Sequence, residues 1–501
     1  MITNALRRPW PTLWWLPSLA AIASHLPVLG CGFAMDDAYN VVGNPEIRSL
    51  SAALAAFGHG LSAGDGGFLQ ALNAGYWRPL ATLSWAVDFA LFGLQPAAFH
   101  ATNLAIHALC AALLATWIRR LGVAPLAAAL GATVWAVHAV HSETVALVTY
   151  RTELLATACV LGGLAHAAGD PRLGRPLPMA LLFSAGVLCK ESAAALPPLW
   201  ALQAMLLRHR LPLPPTVPQR PDAVAWLRPL APTFGALVLV GGLWLWLRTG
   251  RAGTTELPFL GGLPTDARIW SALAIQGRQA SWLLLPWPQA VFWDLTMLPP
   301  ALGPADPRAL AGVLWLMLLG ITALGSATRR PLLALAAVTA LVGLLPTSQL
   351  VPLPVGAAER FLYLPACGAA LALALGLQRV ARHGWRREEA DAEAKAPLTL
   401  GALLRLRPVT STVLCAFVAM LFALATARSA DFESDRKLAE AATRDHPEGF
   451  HGWHWLGRIA LDAGELDLAR ACFDRAGRIL PGFAPNEALR AEAAARAERR
   501  P

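Results

Sequence analysis

FAMDDAYNVVGNPEIRSL, residues 33–50, begins where the first long apolar segment stops, and it opens with two adjacent acids, Asp36 and Asp37. Such acids stand where a chain passes from hydrocarbon into an aqueous pocket. There a carboxylate can take the proton of an incoming hydroxyl. The Asn44-Pro45 dipeptide predicts a turn, and residues 47–57 read as a short amphipathic helix on the membrane surface. The plainer alternative is that both acids solvate a helix end or cap the next helix. An acidic pair alone does not choose between them.

Composition sets the class. Of 501 residues, 56% are hydrophobic and 15% are charged, against about 25% charged in ordinary soluble domains. Apolar runs of roughly 18–22 residues recur from end to end, which marks an all-α, polytopic helical membrane protein whose solvent is the lipid bilayer. The net charge of +9 sits in short basic clusters between apolar runs. That is the positive-inside pattern and not a nucleic-acid surface. Lys occurs only at 190, 395 and 437, and the Arg-, Ala-, Leu- and Pro-rich usage points to a GC-rich bacterium and its inner membrane. The seven Cys lie mostly inside apolar runs without CxxC spacing, so they read as small buried hydrophobes.

Charge asymmetry predicts the path. Arg7-Arg8 hold the N-terminus in the cytoplasm, residues 12–32 cross as an uncleaved anchor, and residues 33–95 form a first external loop containing the Gly-rich stretch 60–75. Crossings follow at 97–118, 123–141, 152–168, from 178 to Lys190-Glu191, 193–207 and 229–247. Residues 267–287 carry Asp266, Arg268, Gln276, Arg278 and Gln279, which predicts an interfacial or re-entrant helix. Spans at 309–327, 331–346, 361–379 and 408–427 complete about 11 crossings. Residues 1–428 are then the membrane domain, with 380–407 a cytoplasmic linker and 429–501 an external tail.

The tail differs in kind. Trp453, Leu456-Gly457, Gly464, Ala469, Phe473, Ala476 and Pro481 fall at the spacings of a 34-residue tetratricopeptide repeat, with Ala460 in place of the usual Tyr. Residues 438–447 read as the second helix of a degenerate earlier repeat. So short an array has to lean on the membrane domain, a partner or another copy.

By this parity Asp36, Asp37, Arg78, His138, His141, Glu143, Arg151, Glu153, Lys190, Glu191, Glu359 and Arg360 all fall at the external ends of their helices. Charges at a membrane edge are costly, and gathering both signs on one side predicts a polar cavity. Bases suit a phosphate leaving group; acids suit a hydroxyl nucleophile. The plainer reading for each pair is an ion pair between sequence neighbours: Arg151 with Glu153, Lys190 with Glu191, Glu359 with Arg360. His138 and His141 are three apart, a metal-ligand spacing on a helix. No third ligand accompanies them, so packing or a hydrogen bond to phosphate is expected instead, and no metal or other cofactor is assigned.

The ordered series MDDAYNVVGNPEIRSL, YWRPLATLSWAVDFALFG, AFHATNLAIHALCAALL, VHAVHSETVALVTYRTELLA, LCKESAAALP and AAERFLYLPACG, closed by a tetratricopeptide repeat, resembles the membrane O-mannosyltransferases with C-terminal tetratricopeptide repeats and their bacterial relatives, within the GT-C superfamily. The resemblance covers residues 10–380 and the tail. It implies a GT-C-type fold and a polyprenyl-phosphate-linked sugar donor. It also implies transfer of mannose or a similar sugar at the external face, to a hydroxyl on a protein or glycan that the repeat could dock. It places the catalytic base at Asp36 or Asp37 and sets Arg78, Arg151, Lys190 and Arg360 at matching positions. Those four suit donor phosphate, with His138, His141, Glu143, Glu153, Glu191 and Glu359 as supporting polar groups. Relatives often carry many repeats, and this chain has barely more than one. A transporter or flippase for a lipid-linked solute would need internal repeats of spans, which are not evident. A non-catalytic scaffold presenting the repeat would not need the acids beside so many bases.

Overall fold

The computed structural model describes residues 15–59, 76–170, 172–207, 228–251, 259–350, 353–383 and 408–499. The Arg7-Arg8 and 208–210 clusters, the Gly-rich stretch 60–75, the 211–222 loop and nearly all of the 380–407 linker lie outside these residues. Among the described residues the structure is all-helical.

The membrane part runs through α1 (Trp15–His25), α2 (Pro79–Phe92), α3 (Pro96–Arg120), α4 (Pro125–Ala136), α5 (Arg151–Gly169), α6 (Pro176–Cys189), α7 (Leu196–Leu206) and α8 (Ala231–Thr249). It continues through α9 (Thr265–Leu284), α10 (Pro307–Ser326), α11 (Pro331–Leu344), α12 (Pro365–His383) and α13 (Pro408–Asp431). Four tail helices follow: α14 (Asp435–Asp445), α15 (Phe450–Asp462), α16 (Leu466–Ile479) and α17 (Ala484–Glu498). Pro opens many of these helices because its missing N–H and fixed φ cost nothing in a first turn.

Among the described residues, five helical segments are long and apolar enough to cross a membrane: 96–120, 148–169, 228–249, 307–326 and 411–431. The other apolar helices are shorter, at 10–17 residues. Proline and 3₁₀ turns explain the shortening. The first segment passes into a 3₁₀ turn at Leu26–Gly30, and the stretch predicted as 193–207 is a 3₁₀ turn, Glu191–Ala195, followed by an 11-residue helix. Likewise the helix predicted over 123–141 stops at Ala136, so His138 and His141 stand in turns rather than on a helix face.

α3 and α5 form the centre of the bundle, with 56% and 61% of their apolar windows buried, whereas α8 and α10 bury only 17% and 22%. Leu239 and Trp246 on α8 and Ile321 and Leu324 on α10 are accordingly exposed, as lipid-facing side chains should be. Polar side chains tie the centre together. Trp117 donates to Gln203 at 2.7 Å, and Gln203 donates to the Leu164 carbonyl at 3.2 Å.

α9, predicted to lie at the interface, has buried Gln276 and Gln279 and is clamped against α10. The clamp depends on glycine. A Cβ at Gly312 would lie 1.8 Å from the Leu273 carbonyl oxygen, and one at Gly277 2.7 Å from the Arg308 oxygen. Backbones approach this closely only where a side chain is missing. Gly312→Ala should therefore force α10 away from α9 and cost about 1–3 kcal/mol. Thermal unfolding in detergent checks this, and an unchanged midpoint would contradict the close crossing.

Candidate active site

At the end of the 3₁₀ turn the chain bends through Met35, whose φ is 49°, and the two acids are sent to different duties. Asp37 is fully buried. Its Oδ2 accepts from the Val148 N–H at 3.0 Å, and its Oδ1 accepts from the Thr149 N–H and hydroxyl, each at 2.7 Å. Burial pushes this carboxyl up to about 7, against the pull of the Thr149 donors. Asp36 is partly exposed and accepts one side-chain hydrogen bond, from the Tyr150 hydroxyl at 3.0 Å. One carboxylate ties segments together, and the other keeps acceptor capacity beyond its Tyr150 hydrogen bond.

Arg360 lies near Asp36, Lys190 feels the charges of both Arg360 and Arg78, and each of these three cations pairs across elements rather than with its sequence neighbour. Arg360 forms an ion pair with Glu143, donates its N–H to Glu143 Oε2 at 3.1 Å, and holds its Cζ 4.3 Å from the centre of the Tyr150 ring. Lys190 lies 2.6 Å from Glu153, which also accepts from the Ser192 hydroxyl at 3.0 Å. Arg78 lies 3.0 Å from Glu191, which Arg248 approaches at 3.7 Å. Burial lowers the pKa of the Lys190 ammonium, and the neighbouring charges of Arg78 and Arg360 lower it further. The predicted neighbour pairs Arg151–Glu153, Lys190–Glu191 and Glu359–Arg360 give way to these contacts. Adjacent residues at a helix start point to different sides, so their charges meet partners from other helices.

Arg151 is elsewhere. It is fully buried and lies 2.6 Å from Asp88. It donates to Asn103 Oδ1 at 2.7 Å, the Ser84 carbonyl at 3.1 Å and the Phe99 carbonyl at 2.9 Å. Arg151, grouped by sequence with the donor-phosphate residues, is fully buried and fastens α2 and α3 to the start of α5. His138 is buried with Nε2 3.2 Å from the Leu283 carbonyl oxygen. His141 packs between Trp135 and Tyr363, with ring centroids 4.6 and 4.8 Å away. Glu359 accepts from the Ala290 N–H at 3.0 Å and from Trp293 Nε1 at 3.2 Å, and burial followed by the nearby Glu143 charge raises its pKa. Among the described residues no group of three or more His, Cys, Asp or Glu side chains is arranged to hold a metal ion.

Sequence reasoning missed Tyr150 and Asp88. Asp88 had a usable signal, being an acid inside the apolar run WAVDFALFG, where an ionisable side chain needs a partner. Tyr150 had none, since nothing in its neighbourhood marks its hydroxyl as the one that meets Asp36.

The tail lies beside this loop. Met35 N–H donates to Asp435 Oδ1 at 2.7 Å and Gly32 N–H to the Glu433 carbonyl at 3.0 Å. Asp294 accepts from the His451 N–H at 3.0 Å and lies 2.9 Å from its Nδ1. Burial raises the Asp294 carboxyl, but the hydrogen bonds from His451 and Thr296 outweigh it and hold the group at about 2, below the ordinary 3.8. A depressed pKa contributes stability above the unfolded value, and that contribution fades as pH falls from about 4 to about 2. Limited proteolysis should therefore release the tail over that window in the wild type, while Asp294→Asn should be looser at neutral pH and flat across it. Identical profiles would contradict the latch.

Comparison with known proteins adds to this geometry. No protein-family model matches the chain. Protein O-mannosyl-transferase Tmtc2 of Drosophila melanogaster is 32% identical over 189 residues, 34% of this chain and 19% of that protein. Protein O-mannosyl-transferase TMTC4 of Mus musculus is 26% identical over 421 residues, 74% of this chain and 56% of that protein. The chain resembles the protein O-mannosyl-transferases. It spans 19% to 56% of the length of these relatives. Among solved structures, arabinofuranosyltransferase AftD from mycobacteria aligns over 85% of this chain and 27% of its own, with a TM-score of 0.44 and 15% identity. Its several apolar helices, together with the resemblance to the O-mannosyl-transferases, make the chain a multi-pass membrane protein.

Proposed function

We propose that this protein is a GT-C-type glycosyltransferase that moves a sugar, mannose or a similar hexose, from a polyprenyl-phosphate donor to a hydroxyl on a protein or glycan. The observation that carries the reading is the placement of Asp36: partly exposed, held by Tyr150, and bordered by Arg360. Asp36 takes the acceptor proton as the acceptor oxygen attacks the anomeric carbon. The bond from that carbon to the phosphate oxygen breaks, and polyprenyl phosphate departs with one more negative charge. Arg360, Lys190 and Arg78 stabilise that charge; their carboxylate partners keep them charged and oriented before donor arrives. Attack from the face opposite the phosphate inverts the anomeric centre.

In this reading Asp37 and Arg151 position the site, and Glu143, Glu153, Glu191 and Glu359 orient the cations and loops. His138 and His141 are supporting polar groups. The site faces the outside of a bacterial inner membrane, opposite the basic turns 119–120 and 172–175. The tail is a tetratricopeptide-type hairpin array on that same side. Its buried Leu456, Ala460, Ala469, Phe473 and Ala476 fit the repeat's inner face. The contacts of Gly32, Met35 and Asp294 with the tail supply the support that so short an array needs. Membranes lacking the protein should accumulate the polyprenyl-phosphate sugar that it consumes. An unchanged lipid-linked sugar pool, measured by mass spectrometry, would count against the reading.

A further inference from the structure

A cavity of about 410 Å³ opens between α9, the start of α10, the 285–305 loop and the 446–448 turn of the tail. None of the candidate catalytic residues lines it. It is nevertheless linked to them, because Trp293 lines the cavity and donates to Glu359, the residue before Arg360. The Gly277–Gly312 crossing makes one wall rigid.

Two of its polar groups are unspent. Arg278 lies across the rings of Trp293 and Trp282, with Cζ 5.0 and 5.7 Å from their centres. Its guanidinium has no hydrogen bond or ion pair among the described residues, and its Nε is buried. His446 is 4% exposed, stands edge-on to Trp293 at 5.0 Å, and has Nδ1 2.9 Å from Glu448. Its Nε2 is buried without a partner. A buried polar atom left unpaired is costly, and a ligand that pairs it recovers that cost. Charge is balanced here. Arg278 feels Glu359 and Glu448, and Arg308 is paired with Asp306 at 2.5 Å. The remaining walls are Phe259, Met297 and other apolar side chains, with Ser271 and Ser281.

We propose that this cavity is a carbohydrate subsite that binds a neutral sugar ring. A pyranose has an apolar C–H face for the aromatic walls and a rim of hydroxyls that both donate and accept. That matches flat rings beside unpaired Arg278 and His446, and it fits a balanced charge better than an anion would. The inference rests on the transferase reading for its place in the reaction, where it would hold the glycan part of the acceptor. For its ligand it rests on the cavity alone.

The test is binding to the purified full-length protein in lipid nanodiscs, free of glycosidic detergent and without donor. Calorimetry would use mannobiose, maltose, inorganic phosphate and a Ser/Thr peptide as probes. A neutral disaccharide should bind. Arg278→Gln should weaken it about tenfold, and Ser281→Trp, at the exposed rim, should block it, both with unchanged thermal midpoints. Absence of sugar binding would overturn the proposal, as would binding of only phosphate or peptide, or undiminished affinity in Ser281→Trp. Sugar binding retained by a protein that transfers nothing would sink the transferase reading and leave the subsite standing.

Discussion

Asp36→Asn should accumulate normally and lose sugar transfer by about 10²–10⁴-fold, the usual contribution of a general base. Asn keeps the shape of Asp and can still accept from the Tyr150 hydroxyl, so the surroundings of the residue are conserved. What disappears is the capacity to take a proton. Asp37→Asn should behave differently. Both Asp37 oxygens already accept hydrogen bonds from residues 148 and 149, and an amide would turn a donor toward one of those N–H groups. Its effect should therefore appear in folding or accumulation as well as in rate. Comparing the two variants for protein level and for turnover per molecule separates these roles. An Asp37→Asn protein that folds normally and is the more impaired in turnover would reverse the assignment.

Arg151→Ala is the second large effect, and it falls on stability. The substitution leaves Asp88 enclosed without its cation and strips Asn103 and the Ser84 and Phe99 carbonyls of their donor. Breaking a buried pair from one side costs about 3–5 kcal/mol, because the remaining charge has neither water nor a countercharge and keeps only the Thr102 hydroxyl as donor. That is a large share of the stability of a typical domain. Membrane levels of the variant should drop sharply. Arg151→Ala paired with Asp88→Asn should restore part of that level, since it removes the stranded charge. A singly substituted protein that accumulates normally but binds donor poorly would return Arg151 to the phosphate group.

Helix positions were legible because the apolar runs are long and many begin on a proline; residues 97–118 and 152–168 fall inside helices Pro96–Arg120 and Arg151–Gly169, and 309–327 overruns Pro307–Ser326 by one residue. Helix ends were less so. A membrane pattern does not distinguish a continuous helix from a shorter one that finishes in a 3₁₀ turn, as at Ala136 and at Leu26–Gly30. That these ionisable groups would be paired was also readable, because an ionisable group at a membrane edge has to find company. Who pairs with whom was not. Lys190 meets Glu153 and Arg78 meets Glu191 across distant segments, and only packing sets those partners. The same limit hid the difference between Asp36 and Asp37. One residue of backbone turn sends one side chain to Tyr150 and the next into the 148–149 amides.

The central claim is that Asp36 acts on a lipid-phosphate sugar. Its most direct measurement is the loss of radiolabelled sugar from polyprenyl-phosphate mannose, and its appearance on acceptor, with purified protein in vesicles. The wild type should move label from lipid to acceptor. The Asp36→Asn, Asp37→Asn double variant, once shown to be folded, should leave the label on lipid; label transfer at an unchanged rate by that variant would contradict the mechanism.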